Sequence, residues 1–179
     1  MTSKLKTDVI ETVSGSGTIA LASQLSGMTH ESVPALTSAH MPSGSVLQAV
    51  NVYSNVQVAV ASSALISLNT LTVIPIGTGS RFVINFFLQA NWGNTNHGFG
   101  AYMYKNGAEI GRSGNQHSVY VNVLTDAYLG GAWSVIDGSG STAGTAITFE
   151  LRAQAYNSNA MRYSGSTQTR GFVILEIAA

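Results

Sequence analysis

The sequence contains no cysteine, only three prolines, and few charged residues for a length of 179. Without cysteine, the protein can have no disulfide bond, no thiolate nucleophile and no cysteine-ligated zinc. Eight Lys and Arg balance eight Asp and Glu, so that charged residues make up 9% of the chain, where soluble proteins have about 25%. Because neutralising phosphates requires a surplus of Lys and Arg, this composition argues against nucleic-acid binding.

Long hydrophobic runs are also missing. No segment approaches the roughly 18 apolar residues of a membrane-spanning helix, and the first residues lack the apolar stretch of a secretory signal. The sequence therefore predicts no membrane span and synthesis in a bacterial cytoplasm. Hydrophobic residues still make up 45% of the chain, which predicts a folded domain and argues against disorder.

Residues 1–45 differ from the remainder of the chain. They contain two of the three prolines, few aromatic residues and no sustained periodicity. We interpret them as an extended N-terminal attachment arm, in which 8–11 and 18–21 flank a Gly/Ser turn and could form two short strands. A flexible linker is the alternative interpretation.

From residue 46 onward the hydrophobic pattern has a period of two, which is typical of β-strands. Short segments rich in β-branched and aromatic residues alternate with Gly- and Ser-rich turns. Residues 46–179 are therefore predicted to form one all-β domain, an antiparallel jelly-roll β-sandwich of about 8–10 strands. The predicted strands are 46–61, 64–76, 81–92, 98–105, 108–112, 118–124, 128–136, 145–155 and 172–177. The Asn106-Gly107 pair predicts a type I′ hairpin between two of them, and the apolar strand 172–177 is predicted to lie centrally.

Two of these strands are apolar on both faces. In 81–92, one face is Phe82, Ile84, Phe86, Leu88 and Ala90, while the other also carries large apolar residues, and 172–177 is similar. Because a sandwich buries only one face of each sheet, the second face must meet another layer or another subunit. The candidate residues for contact with another subunit are Phe82, Val83, Phe87, Val173, Leu175 and Ile177.

No catalytic motif can be found in the sequence, which predicts a non-enzymatic protein without cofactor or resident metal. Two histidines of the domain, His97 and His117, lie beside Asn- and Gly-rich loops. They are either ordinary loop residues or, if a three-fold axis passes near one of them, ligands of a metal ion on that axis. A hydrolase that uses Asp126 or Asp137 with His117 is a further alternative.

One group of aromatic residues is a candidate for ligand binding. Trp92, Tyr128, Tyr156 and Tyr163, together with Tyr120, lie near loops rich in Asn and Ser. An aromatic platform surrounded by amide and hydroxyl groups can bind a glycan without using charge. Burial in the core or in an interface is the other interpretation of these residues.

Several segments resemble virion structural and fibre proteins of tailed bacteriophages, cyanophages in particular. Met-Pro-Ser-Gly-Ser-Val-Leu-Gln-Ala-Val at 41–50 is similar to the segment that opens their terminal β-domains. The start of the chain at 4–11 and 17–21, Ser-Arg-Phe-Val-Ile at 80–84, Tyr-Lys-Asn-Gly at 104–107 and Phe-Val-Ile-Leu-Glu-Ile-Ala at 172–178 match other parts of the same pattern. The likeness covers most of the chain and is loose between 92 and 170.

This resemblance implies a non-enzymatic virion protein that forms a homotrimer through a jelly roll similar to the complement C1q and tumour-necrosis-factor type. It also implies that residues 1–45 attach the trimer to other virion proteins. Because the chain has no repeats that could build a shaft, two roles remain. The protein decorates or cements the capsid, as a clamp or a short head fibre, or it is a short tail fibre that binds a host surface glycan.

Overall fold

The computed structural model describes residues 41–60, 63–92, 97–114, 119–121, 127–156, 161–163 and 169–179. These ranges contain eleven strands and no α-helix. The strands are β1 (Val46–Ser54), β2 (Val58–Val60), β3 (Ile66–Val73), β4 (Arg81–Trp92), β5 (His97–Lys105), β6 (Ala108–Arg112), β7 (Val119–Val121), β8 (Ala127–Asp137), β9 (Ile147–Ala155), β10 (Met161–Tyr163) and β11 (Arg170–Ile177).

The strands form two antiparallel sheets. Sheet A has six strands in the order β1-β11-β4-β10-β2, and β8 also pairs with β4. Sheet B has five strands in the order β3-β9-β5-β6, and β7 also pairs with β5. Since neighbours within a sheet are distant in sequence, the chain crosses repeatedly between the sheets, as in a jelly roll.

The predicted all-β jelly-roll sandwich is confirmed, with β11 in a central position between β1 and β4. The strand count of eight to ten is too low for the described part of the chain. The predicted strand 46–61 is divided into β1 and β2, and the three-residue strand β10 was not predicted. Hydrogen bonding begins before β1 does, because Gly44 N donates to the oxygen of Ala178, the residue that follows β11. The interpretation of the arm, with its two short strands, lies outside the described residues up to residue 40.

The core lies between the inner faces of the two sheets. Phe82 of sheet A meets Phe149 of sheet B edge-on at 5.3 Å between ring centroids, and Phe99 meets Trp133 at 6.3 Å. Such edge-to-face aromatic pairs add to the stabilisation from burial. The largest fully buried side chains are Phe82, Phe86, Phe99, Phe149, Phe172, Ile84, Leu88, Met103, Leu151 and Ile174.

The predicted hairpin between β5 and β6 is also confirmed. Asn106 has φ 48° and Gly107 has φ 83°, the two positive values that a type I′ turn requires. The Asn106 side chain additionally accepts a hydrogen bond from Thr148 N at 2.9 Å, which ties the turn to the start of β9.

Candidate functional site

The outer face of sheet A is a broad surface with little charge. Strand register aligns Ala49, Leu175, Val83 and Ile136 in one row across β1, β11, β4 and β8. Arg81 is the one exposed charged residue on these four strands, because Asp137, Arg170 and Glu176 are buried. A contiguous exposed apolar surface of this kind is typical of an interaction site.

A second row of this face contains two aromatic side chains that touch. Register aligns Tyr53, Gly171, Phe87 and Ala132, and the rings of Tyr53 and Phe87 lie 5.7 Å apart. Gly171 lies between the two residues, and a Cβ there would come within 2.9 Å of the Tyr53 ring. The glycine therefore lets the rings meet across the central strand.

A polar row separates the two apolar rows. It consists of Asn51, Val173, Asn85 and Ser134 in register, and the Ser134 hydroxyl donates to Asn85 Oδ1. Amide and hydroxyl groups in the middle of an apolar surface restrict the alignments that a partner can adopt, because each must find a hydrogen-bond partner when buried.

Five of the six candidate interface residues lie on this face and are half-buried: Val83, Phe87, Val173, Leu175 and Ile177. The sixth, Phe82, has no exposed surface and packs against Phe149 in the core, so it has nothing to offer a second chain. Sequence reasoning missed Tyr53 and Ile136, which are 53% and 69% exposed. The period-two pattern could have identified both. Trp133 and Val135 pack against the core, so the alternate position, Ile136, faces outward, and Val52 likewise leaves Tyr53 on the outer face.

The four candidate glycan-binding residues lie at one end of the sandwich. Trp92 ends β4, and register places Tyr128 opposite Asn91 and Tyr163 opposite Ala90. Tyr156 follows β9 at the same end, and its ring meets the ring of Tyr120 nearly perpendicularly at 5.6 Å. The backbone therefore gathers these positions, and Tyr120 with them, at the end where β5 begins.

The opposite end contains two buried carboxylates. Glu176 is 0% exposed, and its carboxylate accepts hydrogen bonds from Ile76 N, Gly77 N and the Gln48 side chain. Burial raises the pKa of this carboxyl, but these hydrogen bonds and one from Ser80 outweigh it, so that the pKa lies below its ordinary value. The network fastens the loop between β3 and β4 to sheet A.

The second buried carboxylate, Asp137, connects the two sheets. It forms a 2.6 Å ion pair with Lys105 of β5, whose ammonium also donates to Ser139 Oγ at 2.8 Å. Burial raises the pKa of the Asp137 carboxyl, while hydrogen bonds from Lys105 and Ser139 bring it below its ordinary value. Among the residues of the hydrolase hypothesis, Asp137 is thus engaged in this ion pair. The other two, Asp126 and His117, lie outside the described residues. His97 is described only as the first residue of β5.

Two cavities open at this end, with volumes of about 430 and 410 Å³. Thr78, in the loop between β3 and β4, lines both cavities. The first also involves Met41, Ala143 and Ala178, and the second is lined mainly by the loop between β8 and β9, including Ser141. In the described ranges, no group of three His, Asp or Glu is placed to hold a metal ion. The same ranges contain no helix long and apolar enough to cross a membrane.

The outer face of sheet B differs from that of sheet A in charge. Tyr104 lies between Glu109 and Glu150 in register. The adjacent row places Tyr102 between Arg112 and Arg152. Ion pairs join the rows, at 2.6 Å from Arg112 to Glu109 and at 2.5 Å from Arg152 to Glu150, and all four charged side chains remain partly exposed. Of the charged side chains whose exposure the structure describes, four therefore lie on the outer face of sheet B and one, Arg81, lies on that of sheet A.

No family model matches the chain, and no curated protein matches it. Among solved structures, the chain is similar to the infectious bursal disease virus VP2 subviral particle, with 11% sequence identity and a TM-score of 0.34. The match covers 74% of this chain and 42% of the VP2 chain, so this chain spans less than half the length of VP2.

Proposed function

We propose that this protein is a non-enzymatic structural protein of a tailed-phage virion, which forms homotrimers on the particle surface and is anchored through residues 1–45. It would act as a capsid decoration or cement protein or as a short head fibre. The observation that carries the proposal is the unequal charge of the two outer faces. The charged face of sheet B suits solvent, while the apolar face of sheet A suits permanent cover by sister subunits.

The sequence resemblance supports the identity of the particle and the trimeric state. The segment 41–50, which carries the most specific part of that resemblance, includes the first five residues of β1. Because the outer face of sheet A carries few charges, copies of the same chain that meet through this face do not repel each other. Burying the remaining exposed surface of Val83, Leu175 and Ile136 would contribute to the stability of the trimer at about 25 cal/mol per Å².

The test is the oligomeric state of the full-length protein, measured by light scattering during size-exclusion chromatography. The wild type should be a trimer, and Ile136→Glu should convert it to monomers by placing a charge on the outer face of sheet A. The matched control is Ile74→Glu in the loop after β3, where a similarly exposed isoleucine (61% against 69%) lies away from that face. A monomeric wild type, or equal behaviour of both variants, would contradict the trimer interface.

The attachment role is tested on the particle. Deletion of residues 1–40 should leave a soluble trimer that no longer binds the virion, and mass spectrometry of purified virions should find the protein in multiples of three copies. If added protein raises the thermal stability of bare capsids, the cementing role is supported. If the protein is absent from virions, the proposal fails.

A short tail fibre that binds host surface glycan is the second candidate. The arrangement of the two ends of the sandwich favours this role. Met41 lines a cavity beside Ala178 at one end, and the candidate glycan-binding residues lie at the other: Trp92, Tyr128, Tyr156 and Tyr163. The twelve residues of β4 separate these ends by about 40 Å. Binding of the trimer to purified host lipopolysaccharide, lost in Trp92→Ala, would support this role over capsid decoration.

A further inference from the structure

The two rows on the outer face of sheet B form an ordered arrangement of charge. We call Glu109, Tyr104 and Glu150 the acidic row, and Arg112, Tyr102 and Arg152 the basic row. Both rows run across β6, β5 and β9, and the spacing of residues along a strand places them about 7 Å apart. The irregularity in β6 between the partners of Met103 and Tyr104 lets Glu109 and Arg112, three residues apart, share one face.

The side chains of both rows are held in place by their neighbours. The Tyr102 hydroxyl donates to Gln154 Oε1 at 3.0 Å. The Arg152 guanidinium lies 4.2 Å from the centre of the Tyr104 ring, and that of Arg112 lies 5.6 Å from the Tyr102 ring. Charges that are already fixed lose little entropy on binding, and Arg and Tyr are among the residues enriched at the energetic centres of interfaces.

The sign pattern of the rows identifies the kind of partner. A nucleic acid or an anionic membrane presents one sign of charge and would be attracted to one row and repelled by the other. A second copy of the face carries both signs of charge and can therefore attract both rows. When two copies face each other across a two-fold axis that runs parallel to the rows and between them, the acidic row of each copy lies over the basic row of the other.

We infer that two copies of this chain pair through the outer faces of sheet B in this two-fold arrangement, with Glu109 opposite Arg112 and Glu150 opposite Arg152 of the second copy. The contact uses a different face from the proposed trimer interface and does not depend on it. On a particle surface it would connect neighbouring molecules laterally. Because the charged groups are partly exposed, the association is weak in solution and decreases with salt.

The test is a charge swap between the two copies, measured on the full-length protein by sedimentation velocity at low and high salt. In the wild type, two-fold pairing should appear at low salt, and its dissociation constant should rise at least about tenfold near 1 M salt, where the screening length is about 3 Å. Arg112→Glu alone and Glu109→Arg alone should each abolish pairing, because like charges then face each other twice.

An equimolar mixture of the two variants should restore pairing, since Glu at 112 of one variant then faces Arg at 109 of the other. Restoration in the mixture requires both variants to be folded, which thermal unfolding checks independently. If neither variant changes the pairing, or if the mixture does not restore it, the two-fold contact is wrong. Repeating the series in the Ile136→Glu background separates this result from the trimer, because pairing should persist there as a monomer–dimer equilibrium.

Discussion

Replacement of Glu176 by glutamine should destabilise the protein. The wild-type carboxylate accepts hydrogen bonds from the backbone amides of Ile76 and Gly77 and from the side chain of Gln48, in a site without solvent exposure. Glutamine keeps one carbonyl oxygen for the two backbone amides. Its NH2 group, however, replaces the oxygen that accepts from Gln48, so that two donors face each other unless the Gln48 amide turns over and gives up its hydrogen bond to Ile74 O.

The magnitude follows from these contacts. A hydrogen bond to a charged group contributes about 1.5–3 kcal/mol, and a buried donor left without an acceptor costs about 1–3 kcal/mol. Glu176→Gln loses one such bond and weakens two, so we expect a loss of about 3 kcal/mol in the free energy of unfolding. For a domain of this size, that corresponds to a decrease in Tm of about 10 °C.

The pH dependence provides a second readout of the same change. Because the folded-state pKa of Glu176 lies below its unfolded value, the stabilisation is complete above the unfolded pKa, about 4.3, and is lost as the pH falls through the folded pKa. The difference in Tm between the wild type and Glu176→Gln should therefore be largest at pH 7 and should shrink toward pH 3.

Thermal unfolding followed by far-UV circular dichroism measures both effects. The matched control is Glu109→Gln, which breaks an ion pair on a carboxylate whose side chain is 27% exposed and should cost less than about 1 kcal/mol. If Glu176→Gln unfolds within about 1 kcal/mol of the wild type at pH 7, or if the difference does not shrink in acid, the carboxylate network does not stabilise this end of the sandwich.

Two further changes test how the sheets are held. Gly171→Ala would place its Cβ 2.1 Å from a backbone oxygen of β1 and should lower the free energy of unfolding in urea by more than about 2 kcal/mol. Gly138→Ala, whose Cβ would have no atom within 4 Å, should be nearly neutral. Equal effects of the two variants would refute the close packing of β1 and β11. Lys105→Met leaves the buried carboxylate of Asp137 unpaired and should lower stability by about 3 kcal/mol. The double variant with Asp137→Asn should recover part of this loss, and a double variant no more stable than Lys105→Met would refute the pairing.

The sequence was sufficient to predict the fold class because the evidence for it is local. Alternation of apolar and polar residues identifies strands one at a time, and Asn106-Gly107 specifies its turn through the φ angles that these two residues tolerate. The central place of β11 also follows from its own composition. Strand β10 escaped prediction because three residues are too few to establish a period, and the break between β1 and β2 interrupts a segment whose β-branched residues continue through it.

The candidate interface was only partly predictable, because the face that a residue occupies is a property of its whole strand. Phe82 and Val83 are both large and apolar, and a strand that is apolar on both sides does not indicate which side meets sheet B. The structure resolves this by burying Phe82 against Phe149 and leaving Val83 half-buried outside. Pairs such as Tyr53 and Phe87 depend on register across three strands, which no single segment encodes.

The distribution of charge shows the same limit more sharply. A charged fraction of 9% is consistent both with an even scatter and with a concentration of charge on one face. Which of these occurs depends on the irregularity in β6, because regular alternation would place Glu109 and Arg112 on opposite faces of sheet B. With it, both side chains join Glu150 and Arg152 on the outer face. A one-residue change in the register of a short strand thus decides whether these four charged side chains share one face, as the proposed two-fold contact requires, while the apolar face of sheet A remains as it is.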